Sequence, residues 1–375
     1  MSLFIDRRGS GALQYDGVEA KFGVVYPDML SMWIADMDIA IPKPVQDAVC
    51  AFISGNQAGY QHVSVANSIC EWLGAQQVVI DESWVVPCAG IVDALYHCVD
   101  CFTGRGDKVT VVSPTYSPLY DAVSAQGRAL SVVSMTLNSQ EAWSLDVTTI
   151  DPDSTAVLLC NPQNPTGHVW SYDQLQTLVD YCHSHNIIII CDEAHADFTF
   201  DAPFISLLNT DAQNWPGLIV LRSASKTFNL AAVDNAAYAI VPSPEQRNTF
   251  QHIVNQRHLS PSPLGCHILN TVYQSCDEWF ATVKQVITDN RDLLNTHIPR
   301  LPDSLSVTIG AGTYFALLDA RSLSADPAHT LLHDYHLALG PGDTEFLPGF
   351  FRLNLATHPQ TIVSLVNRLC KNSKK

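Results

Sequence analysis

Four stretches of this chain are apolar almost throughout and stop abruptly at a polar loop: Lys108–Val112, Ala156–Leu159, Ile187–Ile190 and Leu218–Leu221. A strand with one wet face alternates apolar and polar residues. A run that is apolar on both faces must be covered on both, which points to a mostly parallel sheet between two layers of helices. The segment Ser171–His185 supplies such a helix just before the Ile187–Ile190 run. Ser171 stands at the cap position, and Leu175, Leu178 and Val179 fall on one face. Strand–helix–strand alternation of this kind predicts an α/β fold with a three-layer α/β/α large domain. A chain of 375 residues, 47% of them hydrophobic, is long enough to bury that core and a second, smaller domain.

The texture changes after about residue 260. A helical stretch is expected from Pro263 to about Arg291. Strand-like pieces follow at Leu305–Ile309 and Thr313–Leu318, then a helix near Pro327–His336 and an amphipathic helix over Gln360–Cys370. The expected organisation is residues 46–275 as the large domain and 276–375 as a smaller α+β domain. Residues 1–45 are expected to form an N-terminal segment packing with the smaller one.

Charge and motifs exclude several classes. The net charge is −17, from 20 Lys+Arg against 37 Asp+Glu. No basic cluster offers a face for phosphates, so no nucleic-acid partner is expected. No apolar run is long enough to span a bilayer, and the start MSLFIDRRGSG lacks the apolar core of a signal peptide. The expectation is a cytoplasmic protein without a membrane partner. The 11 cysteines are then expected to be free, and mostly buried. Cys98 and Cys101 form a C-x-x-C pair with no second pair at zinc-site spacing, so no metal is expected. Asp192-Glu-Ala-His195 has the form of a helicase box, but no G-x-x-x-x-G-K-[ST] loop accompanies it.

In open parallel sheets, ligands bind beyond the carboxyl ends of the strands. The loops there are Ser113-Pro-Thr-Tyr116, Asn161-Pro-Gln-Asn-Pro-Thr-Gly167, Asp192-Glu-Ala-His195 and Ser223-Ala-Ser-Lys226. A lysine desolvated at a strand end becomes a nucleophile towards an aldehyde. An ionised aspartate pairs with a pyridinium nitrogen, an asparagine donates to a phenolic oxygen, and hydroxyls with helix-start N–H groups hold a phosphate. Each of these roles is filled if the ligand is pyridoxal 5′-phosphate (PLP).

These residues resemble fold-type I PLP enzymes, the aspartate aminotransferase superfamily, over nearly the whole chain. Within it the chain looks closest to the cystathionine β-lyase/C–S lyase branch, the MalY/PatB group. The pointers are Met32-Trp-Ile-Ala-Asp-Met-Asp38, Pro162-Gln-Asn-Pro-Thr-Gly167, Asp192-Glu-Ala-His195, Ser225-Lys-Thr-Phe-Asn229 and Phe351-Arg-Leu-Asn354. The resemblance implies that Lys226 holds PLP as a Schiff base and is the catalytic residue. It implies that Asp192 pairs with the ring nitrogen and Asn164 with the ring oxygen. His195 stands where many relatives have a tyrosine, and Tyr116 stacks on the ring. Backbone N–H groups of Gly90 and Ile91, with Ser223 and Ser225, hold the phosphate. Tyr60 reaches the phosphate of a neighbouring subunit, which implies a homodimer with its sites at the subunit interface. Arg352 grips the carboxylate of a small amino-acid substrate, and Ala35 and Asn164 line the same pocket.

Two positions depart from the pattern. Asp234 stands where many aminotransferases carry a phosphate-binding arginine, and the phosphate cup reads Cys88-Ala89-Gly90 without the usual hydroxyl. The implied reaction is α,β-elimination on a β-thioether amino acid, with L-cystathionine leading. The cofactor motifs serve an aminotransferase equally well, because both reactions pass through a Cα carbanion. One member of this branch also regulates by binding a transcription activator, but no feature here points to such a role.

Overall fold

The computed structural model describes residues 3–137, 143–232, 237–343 and 346–371. The chain divides into two compact units. One comprises Ile41–Asn164 and His168–Phe280, the other Met1–Ala40, Pro165–Gly167 and Ala281–Lys375.

The first unit is built on a seven-stranded sheet. Its strands are β1 (Val85–Cys88), β2 (Lys108–Ser113), β3 (Ala129–Ser134), β4 (Ala156–Cys160), β5 (Ile188–Asp192), β6 (Leu218–Ser223) and β7 (Ala237–Ile240). Their spatial order is β1-β7-β6-β5-β4-β2-β3. The pairs from β6 through β3 are parallel, and β7 runs antiparallel to both of its neighbours. The expected mostly parallel sheet is therefore present, with one reversed strand.

The continuous apolar runs are explained by two separate cores. Val157 and Leu159 of β4, Ile189 and Cys191 of β5, and Leu218 and Val220 of β6 pack on one face. Leu158, Ile190, Ile219 and Leu221 pack on the other. Helix α1 (Ile91–Phe102) covers the second face with Leu95, Cys98 and Val99. Helix α2 (Tyr172–Ser184) covers the first with Leu175, Leu178 and Val179, and it starts at a Ser171/Gln174 capping box. Each such buried side chain contributes about 1.5–3 kcal/mol. The result is the three-layer α/β/α arrangement read from the sequence. Cys98 and Cys101 lie within α1.

One turn of helix, α3 (Ala224–Thr227), follows β6 directly. The long helix expected from Pro263 is two helices, α4 (Pro263–Ser275) and α5 (Asp277–His297), interrupted at Cys276. Asp277 and Glu278 favour a new start there, because acids in a first turn complement the helix dipole.

The second unit carries a four-stranded antiparallel sheet. Its strands are β8 (Ser306–Thr308), β9 (Phe315–Asp319), β10 (Gly340–Asp343) and β11 (Leu347–Asn354), in the order β8-β9-β11-β10. The expected terminal helix is α6 (Pro359–Lys371), and the helix expected near Pro327–His336 ends at His333. Leu30–Ser31 pairs in parallel with Leu337–Ala338, so the N-terminal segment is part of this unit. Among the described residues, no helix is long and apolar enough to cross a membrane.

Candidate active site

The row of Cα positions Cys160, Asp192 and Leu221 runs across the ends of three parallel strands, β4, β5 and β6. The chain leaves each strand there with backbone groups already paired. Asn161 N donates to Asp192 O at 2.9 Å and Glu193 N to Leu221 O at 2.8 Å. Asp192 Oδ1 accepts from Ala194 N at 2.9 Å. Burial pushes the Asp192 carboxyl up to about 6, against the Ala194 hydrogen bond and the charge of Lys226, which pull it down. Asp192 nevertheless keeps partial solvent access at the strand end. It is a carboxylate in a confined space with too little positive charge around it.

Lys226 lies in α3, whose start is capped by Ser223 Oγ accepting from Ser225 N at 3.1 Å. Ser223 Oγ also donates to Ser225 Oγ at 3.1 Å. Both serines are buried. The short β6–α3 junction thus presents two hydroxyls and the lysine within four residues.

Cys160 ties two further loops to Asp192. Its thiol is pushed up to about 12 by burial and by the Asp192 charge, and backbone N–H groups of Tyr116 and Asn164 point at it, as does Thr115 Oγ1 at 3.3 Å. Tyr116 and Asn164 are therefore neighbours of one sulfur beside Asp192. Asn164 is buried and Tyr116 is partly open. Gln163 Nε2 fixes the loop from below by donating to Val112 O at 3.1 Å and Pro114 O at 2.8 Å. His195 is buried three residues after Asp192, and its carbonyl accepts from Phe198 N at 3.0 Å.

Where the resemblance implies a phosphate, Gly90 is the N-cap of α1 and no side chain caps it. The first-turn N–H groups of a helix, Ile91 among them, have no intrahelical acceptor, so they remain for an anion. Cys88 points elsewhere: its Sγ lies 3.4 Å from Val86 O and burial pushes it up to about 12. Tyr60 is fully exposed in the single chain. Asp234 lies outside the described residues.

The second unit holds Arg352 on β11, opposite Leu317 and Gly340. Its guanidinium stands 4.7 Å over the Phe315 ring, and Nη2 reaches Trp33 O at 3.5 Å. Gly340 allows that approach, because a Cβ there would lie 2.4 Å from Trp33 O. Ala35 sits in the 33–36 turn, which Asn354 Nδ2 clamps by donating to Ile34 O at 3.1 Å and Asp36 O at 2.6 Å. Arg7 closes the same turn from outside through Asp36 at 2.5 Å. Arg352 and Asn354, two apart on one strand, share a face and act on one loop.

The chain matches the family described as aminotransferase class I and II over residues 50–369. It belongs to that family. Among curated members it is 29% identical to protein MalY of Escherichia coli strain K12, covering 94% of this chain and 93% of MalY. It is 27% identical to cystathionine beta-lyase PatB of Bacillus subtilis strain 168, with 97% of each chain covered. The structure of cystalysin from Treponema denticola, which contains a pyridoxal 5′-phosphate cofactor, superposes with a TM-score of 0.90 at 24% identity, covering 98% of this chain and 96% of cystalysin. The fold is that of this family, as the resemblance implied.

The residues fit the cofactor that the family resemblance implies. Burial pushes the Asp192 carboxyl up further than Lys226 pulls it down, which a protonated ring nitrogen would offset; α1 starts without a side-chain cap, and Ser223 and Ser225 add hydroxyls near Lys226 in sequence. Among the described residues, no group of three or more His, Cys, Asp or Glu is placed to hold a metal ion.

Sequence reasoning missed a buried charged cluster behind Lys226, made of Glu193, Asp197 and Arg222. Glu193 accepts from Ser206 Oγ at 2.9 Å and Leu207 N at 3.1 Å, and burial pushes it up to about 7. The available signal was Arg222 itself, a lone cation at the end of an otherwise apolar strand. Asn354 was quoted within a motif but given no role.

Proposed function

We propose that this chain is a PLP-dependent C–S lyase of the cystathionine β-lyase type. It cleaves L-cystathionine or a related β-thioether amino acid to a thiol, pyruvate and ammonia. The cofactor part of the reading is carried by Asp192, which ends β5 within the influence of the Lys226 charge in an aminotransferase-family fold, and the lyase part by the relatives. The relatives favour elimination over transamination: PatB is named a cystathionine beta-lyase.

PLP bound here supplies a protonated ring that withdraws electrons from the substrate Cα. The chain does the rest. Lys226 would hold the cofactor through its amine, and the same group would serve as general base for the Cα proton. The protonated Lys226 amine would return that proton to the departing sulfur. Asp192 keeps the ring nitrogen protonated, Asn164 and His195 address the ring oxygen, and Tyr116 covers the ring face. Gly90, Ile91, Ser223 and Ser225 hold the phosphate. Arg352 would grip the α-carboxylate as a planar fork, and the family resemblance implies Ala35 and Asn164 as its further contacts. A fixed carboxylate would orient the substrate's Cα bonds towards Lys226.

The functional unit is a homodimer in which Tyr60 of one subunit reaches the phosphate of the other. Full exposure of this tyrosine in the single chain supports that assignment. The reading places the protein in the cytoplasm. Cleavage of cystathionine there yields homocysteine, the thiol that methylation converts to methionine. Purified protein given PLP and L-cystathionine, without any keto acid, should release pyruvate and thiol. Amino-group transfer to an added keto acid without pyruvate release would make it an aminotransferase instead. Light scattering should give a dimer, and a fully active monomer would remove Tyr60 from the site.

A further inference from the structure

Asp197 stands five residues after Asp192, on the loop that follows it, and its side chain is almost completely buried. Its Oδ1 accepts from Trp72 Nε1 at 3.2 Å, Gln76 Nε2 at 2.7 Å and Arg222 Nη2 at 3.3 Å. Its Oδ2 accepts from the hydroxyl of Thr227, the neighbour of Lys226. Arg222 is as deeply buried, and its Nη2 also donates to Gln76 Oε1 at 3.0 Å. Arg222 immediately precedes Ser223, the cap of α3.

The one-turn helix α3 spans four residues, too few to hold its shape unaided. Its start is fixed by the Ser223 cap and its end by Thr227 on Asp197. The chain beyond folds back through Leu230 N to Ser225 O at 2.9 Å, with Asn229 at φ 57°. Lys226 lies between these anchors. An apolar contact would cover Thr227 without burying an ion pair, which is costly to desolvate. A carboxylate adds direction: it fixes how the turn is rotated about its axis, and so where the Lys226 side chain leaves it.

We infer that Asp197 is a positioning residue for Lys226, acting through the Thr227 hydroxyl with Arg222 as its counter-charge. One short loop then sets both the carboxylate that meets the ring and the turn that carries the lysine. The inference rests on the reading that Lys226 carries PLP.

The test uses the holoenzyme. Thr227→Val removes the hydroxyl while keeping size and branching, and Thr227→Ser restores it. The readouts are the pH midpoint of the visible absorption of the lysine-bound cofactor, kcat and KM. Thr227→Val should displace the midpoint by about half a pH unit or more. It should lower kcat roughly tenfold while KM stays within about twofold. Thr227→Ser should behave as the wild type. A Thr227→Val protein with the wild-type midpoint and kcat overturns the inference, as does a Thr227→Ser protein altered as much as Thr227→Val. Should Thr227→Val fail to fold, Asp197→Asn keeps the side-chain size and loses an acceptor. It should also displace the midpoint, and a wild-type midpoint there overturns the inference. A wild-type protein that gains no visible band with PLP overturns the cofactor reading, and this inference with it.

Discussion

Asp192 ends β5 beside β6, the strand that leads into the turn carrying Lys226, and the lysine charge pulls down a carboxyl that burial pushes up to about 6. A protonated pyridine nitrogen hydrogen-bonded to this carboxylate would offset the cost of its burial. Asp192→Asn keeps the acceptor for Ala194 N and removes the charge. It should lower kcat by about 10²–10⁴-fold, the range ascribed to a positioned proton-transfer partner, while PLP still binds. Steady-state kinetics on the PLP-loaded variant check this.

Asp192 and its neighbour Glu193 make the cofactor-free protein pH-sensitive. The folded state holds protons on Asp192 and Glu193 more tightly than the unfolded chain does, with values near 6 and 7 against ordinary carboxyl values. The stability this contributes is present below pH about 4 and is lost as pH rises through about 6 and then about 7. For Asp192 the loss is on the order of 2–3 kcal/mol. Cofactor-free Asp192→Asn should therefore melt above the cofactor-free wild type at pH 8, with the gap closing towards pH 4. Thermal melts across that range measure it, and parallel curves would contradict it.

The fold was legible because its signals are local. Continuous apolar runs gave β2, β4, β5 and β6 to within a residue or two, and Ser171 gave the start of α2. The loops bearing Lys226, Asp192 and Asn164 followed from where those runs stop. The antiparallel strand β7 was not legible, since a four-residue segment carries no direction of its own. The break at Cys276 hid inside an amphipathic pattern that continues across it. The Asp197–Arg222 pair was illegible for another reason. Its members are 25 residues apart and look like surface charges until the sheet buries them.

Arg352 offers a planar fork above Phe315, and a lysine cannot reproduce it. Arg352→Lys should raise KM for the amino acid on the order of 10-fold to 100-fold and change kcat less. A carboxylate contact would be made in ground and transition states alike. Kinetics with substrate and with an analogue lacking the carboxylate separate the two contributions. The analogue should be turned over equally by both enzymes.

Asn354 is buried and holds two carbonyls of the 33–36 turn. Asn354→Ala leaves Ile34 O and Asp36 O without that donor and should cost about 1–3 kcal/mol in denaturant unfolding. Because Ala35 lies between them, KM should rise as well. A stable variant with unchanged KM would free the turn from any role in the carboxylate pocket.

The most direct measurement follows pyruvate and free thiol together in a reaction containing only the holoenzyme and L-cystathionine. The two products should accumulate in a 1:1 ratio with no keto acid added, and Lys226→Ala should slow both by at least about 10³-fold. Wild-type enzyme that forms neither product, yet passes the amino group to an added keto acid, would contradict the account.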